Sequence, residues 1–166
     1  MDYQIQAMQP ENWDAVAKIY LEGINTGKAT FQPGLPTFAA WDKSHLKICR
    51  LIAFDGQNVL GWVALSPTSS RKVYQGVTEV SIYIGTIYRG QGVGKRLLAH
   101  LIKMSEKNGI WCLYSSIIRE NQASLALHKS CGFRVIGIRE KIAKMPNGVW
   151  HDTVLMERRS KVVGID

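Results

Sequence analysis

The 166-residue chain has no apolar run near the roughly 18 residues that span a bilayer, and Asp2, Glu11, Asp14, Lys18 and Glu22 break up its first thirty positions. Neither a membrane protein nor a secretory leader is expected. Its three cysteines, Cys49, Cys112 and Cys131, include no CxxC pair and are odd in number. That argues against a disulfide framework and for small buried residues in a reducing, cytoplasmic setting. The sequence also lacks any run of five like charges, a basic tail, an internal repeat or a linker. The net charge of +8 is spread along the whole chain, so it favours small anionic partners such as phosphorylated cofactors or acidic metabolites over nucleic acid. What remains is 46% hydrophobic and 20% charged, enough for a buried core, and the length predicts one domain over 1–166.

Periodicity predicts a mixed α/β chain. Tyr3 to Met8 alternates like a strand, and from Pro10 the residues Trp13, Val16, Ala17, Tyr20 and Ile24 recur at helical spacing. Gly23, Gly27 and Phe31–Pro36 read as a loop, and Thr37 caps a second helix expected to run to about Lys47. On that helix His45 and Cys49 fall at i and i+4, but two ligands without two more make no metal site, and no metal is expected. Leu51–Phe54 and Val59–Ser66 read as a hairpin around Asp55–Asn58, followed by a polar loop and a β-branched strand, Val77–Ile84. A long helix from about Gly92 to Lys107 carries the stripe Val93, Leu97, Leu98, Leu101 and Met104 and stops at Asn108-Gly109. Trp111–Ile117 is another strand, and Asn121 caps a short helix ending near Gly132. Two final strands then flank Pro146-Asn147-Gly148.

The segment between strand Val77–Ile84 and the long helix, Gly85 to Lys95, is the most informative. Glycines there let backbone N–H groups approach an anion, and the helix N-terminus adds unsatisfied N–H groups and a positive dipole end. It reads as a phosphate cradle. A Walker loop would need glycine at Arg89 and Ser or Thr at Arg96; a dinucleotide fingerprint would need glycine at Lys95 and an acid within Trp111–Ile118. Neither nucleotide pattern is met.

Arg89-x-x-Gly92-x-Gly94 after a β-branched strand resembles instead the acyl-coenzyme A pyrophosphate loop of the GNAT acetyltransferases. Asn121, Ala123, His128 and Gly132-Phe133 follow in the order of that family's next helix. Ala29-Thr30-Phe31, Pro36-Thr37, Arg71-x-x-Tyr74, Glu79-x-Ser81-Ile82-Tyr83-Ile84 and Trp150-His151-Asp152 are similar to the phosphinothricin and methionine sulfone acetyltransferase branch. Any one of these is weak; their shared order from Ala29 to Glu157 is specific.

The resemblance implies a GNAT-like fold, with a splayed central sheet flanked by helices and acetyl-coenzyme A as the acetyl donor. It places the donor against the segment Ile82, Tyr83 and Ile84, with its pyrophosphate on Arg89, Gly90, Gln91, Gly92, Val93, Gly94 and Lys95. Asn121 and Ser124 assist. It makes Glu79 the base that deprotonates an incoming amine through water and the Ile84 N–H the donor to the thioester oxygen. His128 is the candidate general acid, where many members carry tyrosine. Phe31, Arg71, Tyr74 and His151 are the expected acceptor-binding residues, with Arg71 clamping a carboxylate. A cytoplasmic homodimer acting on a small-molecule amine is the family expectation. Two other readings stay open: an acetyltransferase for a peptide or protein amine, and a non-catalytic acyl-coenzyme A sensor.

Overall fold

Strand alternation decides which way each residue of this chain faces, and the faces decide everything that follows. The computed structural model describes residues 1–166. Its strands are β1 (Gln4–Ala7), β2 (Leu51–Phe54), β3 (Val59–Pro67), β4 (Val77–Ile84), β5 (Cys112–Ile118), β6 (Arg134–Lys144) and β7 (Trp150–Arg159). Its helices are α1 (Trp13–Asn25), α2 (Phe38–Ser44), α3 (Val93–Lys107) and α4 (Gln122–Ser130). One seven-stranded mixed sheet has the order β1-β2-β3-β4-β5-β7-β6. Only β4 and β5 run parallel, joined by the crossover through α3 that a parallel pair requires. The expected mixed α/β architecture, with helices on both sides of a sheet, is what the chain adopts.

The two faces are buried by different helices. Leu97, Leu98 and Leu101 of α3 lie against Val63, Leu65, Val80, Leu113 and Ile117 in one apolar cluster. Val16 and Ile19 of α1 and Trp41 of α2 pack with Ile52, Trp62 and Ala64 in a second cluster on the opposite face. Even-numbered residues of β4 therefore point toward α3 and odd-numbered ones, Glu79, Ser81 and Tyr83, toward α1. No residue of the 24–37 loop or of the β6–β7 turn belongs to either buried cluster.

Two local expectations change. Gly23 lies inside α1 rather than in a loop, and it is glycine for packing: the Tyr83 ring occupies the space a side chain would take, 2.6 Å from an added Cβ. Helix α2 ends at Ser44, not Lys47. Arg50 accounts for the early stop: its guanidinium donates to the Asp42 carboxylate and to the carbonyls of Asp42, Leu46 and His45. The Leu46 N–H meanwhile crosses to the Leu65 carbonyl of β3 at 2.8 Å. His45 is then an extended C-cap and Cys49 sits at φ 60, so the two do not share a helix face.

Gly61 of β3 lies under both α3 and the end of β4. A Cβ there would lie 2.6 Å from Ile84 Cδ1, 2.9 Å from the Tyr83 carbonyl oxygen and 3.2 Å from Leu97 Cδ1. Backbone cannot yield as a side chain does. Gly61→Ala is expected to destabilise the fold by about 1–3 kcal/mol, read as a lower urea midpoint at unchanged slope.

Candidate active site

β4 and β5 pair over three positions only, Val77↔Cys112, Thr78↔Leu113 and Glu79↔Tyr114. Beyond Glu79 the strands part, and a cleft of about 1180 Å³ opens through the sheet from one face to the other. The direction of the freed groups follows from strand geometry. The Gly85 N–H donates to the Leu60 carbonyl of β3 at 2.9 Å. Alternation then turns the N–H groups of Ile82 and Ile84 away from β3, onto the splayed edge. Tyr83 is different. Its backbone faces β3, and its ring stacks on Trp62 at 5.0 Å and meets Tyr20 at 4.8 Å, so it walls the cleft on the α1 face rather than offering backbone to a donor.

On the α3 face the cleft reaches the glycine-rich turn. The first backbone bond of α3 runs from the Arg96 N–H to the Gly92 carbonyl, and the N–H groups from Gly90 to Lys95 have no acceptor within the chain. Gly92 caps the helix at φ 82, and an added Cβ there would meet nothing within 4 Å. Open space before a row of unpaired N–H groups at a helix N-terminus fits a pyrophosphate, with Lys95 beside it. Arg89 ties the turn to the strand end, its Nε donating to the Ile84 carbonyl at 3.1 Å. The Gln91 side chain folds back onto the Ile87 carbonyl and does not line the cleft. Asn121 caps α4 by accepting the Ser124 N–H, and both residues line the cleft wall.

On the α1 face Glu79 is the carboxylate of the splay. Burial raises its pKa above the usual carboxylate range, against the opposing field of Arg139. A second cavity of about 400 Å³ abuts the cleft there, sharing Tyr20, Gln32, Glu79 and Ser81 with it and extending past Ser66 and Ser44 to His45. These polar walls suit water in contact with Glu79. Tyr20, Gln32 and Glu120 also line the main cleft and were not anticipated. Tyr20 follows the same spacing as the apolar stripe of α1, so nothing in the sequence separates it from core.

His128, the candidate general acid, is brought to the cleft. It is 1% exposed and edge-on to Phe133. Its Nδ1 lies 2.8 Å from the Ser124 carbonyl, which can only accept, so Nδ1 carries the proton and Nε2, without a partner, is a bare acceptor. Burial holds its pKa below the usual histidine range. In the neutral form this tautomer presents a lone pair at Nε2, and a proton there requires the imidazolium, which burial disfavours.

The four expected acceptor residues divide. Phe31 lines the cleft and its ring lies 6.3 Å from that of His151, whose Nδ1 is 3.1 Å from Glu120. Arg71 and Tyr74 bracket an exposed 3-10 turn and line neither cavity of their own chain. No group of three or more His, Cys, Asp or Glu is placed to hold a metal, and no helix is long and apolar enough to cross a membrane.

The acetyltransferase (GNAT) family model matches residues 13–133. A phosphinothricin N-acetyltransferase of Alcaligenes faecalis is 30% identical over 161 residues, 93% of this chain and 81% of the relative. An L-methionine sulfoximine/L-methionine sulfone acetyltransferase of Pseudomonas paraeruginosa is 30% identical over 108 residues, 64% of this chain and 62% of the other. Among solved structures, a GNAT superfamily phosphinothricin acetyltransferase from Sinorhizobium meliloti, in complex with acetyl-coenzyme A, superimposes with TM-score 0.85. It is 26% identical, over 100% of this chain and 97% of that one.

The buried histidines carry a testable linkage. Burial depresses the pKa of both His45 and His128 in the folded chain, so between the folded value and about 6.5 the unfolded chain binds more protons. Their contribution is complete above about pH 6.5 and is lost as pH falls toward the folded value. Glu79, with its raised pKa, acts in the opposite sense. The urea midpoint is expected to drop between about pH 7.5 and 5.5, and to drop less steeply in His128→Phe.

Proposed function

The chain belongs to the GNAT acetyltransferase family, and from that premise we propose that it acetylates the amine of a small amino acid or analogue, of the phosphinothricin or methionine sulfone type. The relatives' names support that acceptor class. One observation of the molecule carries the reading. Glu79 stands on the α1 face of the same splay whose α3 face leads to the phosphate cradle, with the free Ile82 and Ile84 N–H groups between them.

Acetyl-coenzyme A supplies a thioester carbonyl activated toward amines. The N–H groups from Gly90 to Lys95 hold its pyrophosphate, and the splayed edge of β4 receives the arm as an added strand. The acceptor arrives as an ammonium, and Glu79 takes its proton, directly or through water in the side cavity. A raised pKa makes Glu79 a better base than an ordinary carboxylate near neutral pH. The Ile84 N–H donates to the carbonyl oxygen as it gains charge. Thiols are acidic enough, with pKa near about 8.5, that departure of sulfur as thiolate asks no proton of His128. The remaining parts of the proposal are a single domain over 1–166, a cytoplasmic setting and a homodimer. The exposed apolar residues Val135, Ile138 and Ile142 on the edge strand β6 support the dimer.

Coenzyme A thiol release tests the reading, with methionine sulfone, phosphinothricin, the common amino acids, a polyamine and a lysine peptide as acceptors. Turnover confined to amino acids and analogues supports it; turnover only on the peptide replaces it with a macromolecular acceptor, and binding without turnover with a sensor. Glu79→Gln is expected to lower kcat about 100-fold while acetyl-coenzyme A still binds. Activity of the wild type should rise with pH as Glu79 loses its proton, at a pH above the ordinary carboxylate range, and that limb should be missing from the residual activity of the variant. Gly92→Ala places a methyl in the cradle at a positive φ, and calorimetry should show acetyl-coenzyme A binding weakened by about tenfold or more.

A further inference from the structure

We propose that the side cavity is the exit by which the proton taken up by Glu79 leaves during turnover, and that His45 at its far end relays that proton to solvent. The proposal rests on the acetyltransferase reading with Glu79 as base. His45 lines the side cavity and not the main cleft, so it acts through Glu79.

The proton balance sets the need. An ammonium gives up two protons on its way to an amide, and the departing thiolate takes one back on becoming a thiol. One proton therefore leaves the site in each turnover, and Glu79 ends as it began, a carboxylate. While donor and acceptor fill the main cleft, they stand between Glu79 and bulk water on that side. The side cavity of about 400 Å³ meets the cleft at Tyr20, Gln32, Glu79 and Ser81, and continues to Ser66, Ser44 and His45, none of which lines the cleft. Ser44 is exposed, so this path has an outer end.

The sheet fixes both ends of the path. Ser66 of β3 is paired with Glu79, and directly opposed residues in neighbouring strands share a face. The Leu46 N–H, bonded to the Leu65 carbonyl at 2.8 Å, pins the segment after α2 to β3 beside Ser66. The His45 ring is stacked on Trp41 at 4.4 Å and edge-on to Trp62 at 6.5 Å.

The tautomer of His45 suits a relay. Its Nδ1 lies 2.8 Å from the Trp41 carbonyl oxygen, which can only accept, so Nδ1 carries the proton of the neutral ring. Nε2 keeps its lone pair and, unlike Nε2 of His128, is not a sealed atom. A proton passed from Glu79 through cavity water to Nε2 makes an imidazolium, which returns to neutral by giving a proton to bulk water at the exposed end. The surrounding groups agree with that direction. Burial raises the pKa of Glu79 against the field of Arg139, whereas burial lowers that of His45, with Arg50 acting in the same sense. The two are brought toward each other, which lowers the cost of transfer between them. Arg50, itself paired with Asp42 at 2.6 Å, keeps the imidazolium from persisting. Tyr20 and Tyr83, on the Glu79 side, have pKa values raised by burial and stay neutral.

The test is stopped flow in weak buffer with a pH indicator, at about pH 7, where a free thiol is mostly protonated. Enzyme premixed with acetyl-coenzyme A meets methionine sulfone; loss of thioester absorbance reports transfer, and the indicator reports the proton. In the wild type the proton should appear no later than the thioester is lost. His45→Asn and His45→Gln cannot take up a proton, and Ser66→Val replaces a hydroxyl of the passage by a methyl. In these variants proton release should run at least about tenfold slower than thioester loss, waiting for products to leave the cleft. A merely structural defect would slow both traces together. A lag in either His45 variant supports the proposal, with or without one in Ser66→Val. Coincident traces in every folded variant, or both traces slowed alike, overturn it, and a lag confined to Ser66→Val overturns the role of His45. Failure of the underlying reading is distinguishable: the wild type would then consume no thioester with amino acids, or Glu79→Gln would turn over undiminished.

Discussion

A parallel pairing that stops after three residues is the constraint on which the site depends. Backbone N–H and C=O groups are obligatory hydrogen-bonding groups, and a sheet normally satisfies them strand to strand. By parting from β5 after Glu79, β4 leaves the N–H groups of Ile82 and Ile84 without a strand partner, in the interior of the molecule. The same choice opens the sheet from face to face. Both cannot be undone separately, since closing the pairing would satisfy the backbone and abolish the passage together.

Alternation along β4 then sorts the chemistry. Val80, Ile82 and Ile84 send their side chains into the cluster under α3, so the strand that presents backbone to the cleft is held by its own apolar residues. Glu79, Ser81 and Tyr83 go the other way, into a wall completed by Tyr20 and Phe31. The two sides are braced against each other across the sheet. Glu22 of α1 accepts the N–H and hydroxyl of Thr86, at 2.7 and 3.0 Å, at the start of the cradle turn. The glycine-rich turn and α1 are therefore tied to one another by a single carboxylate.

Much of this was legible in the residues. The glycine spacing from Gly85 to Lys95, the stripe of α3 and the β-branched run Val77–Ile84 are local signals, and they placed strand, turn and helix correctly. What failed was long-range. The end of α2 depends on Arg50 reaching back to Asp42, and the need for glycine at position 23, inside a helix, on a ring from β4. The tautomer of His128 follows from a carbonyl one turn away on a helix whose burial the sequence does not announce. Arg71 had the right charge in an orderly motif, but whether a side chain reaches a cleft is decided by strand register and face. Arg71, eight positions from Glu79 in the chain, does not line the cleft.

The loop from 24 to 37 and the β6–β7 turn hold no residue of either buried cluster, yet Phe31 from the first lines the cleft, with its ring 6.3 Å from that of His151 beside the second. The residues that bury the core and the residues of these two surface segments are thus separate sets. A substitution confined to either segment can therefore reshape that wall of the cleft without opening a cavity in the clusters that hold the sheet to its helices.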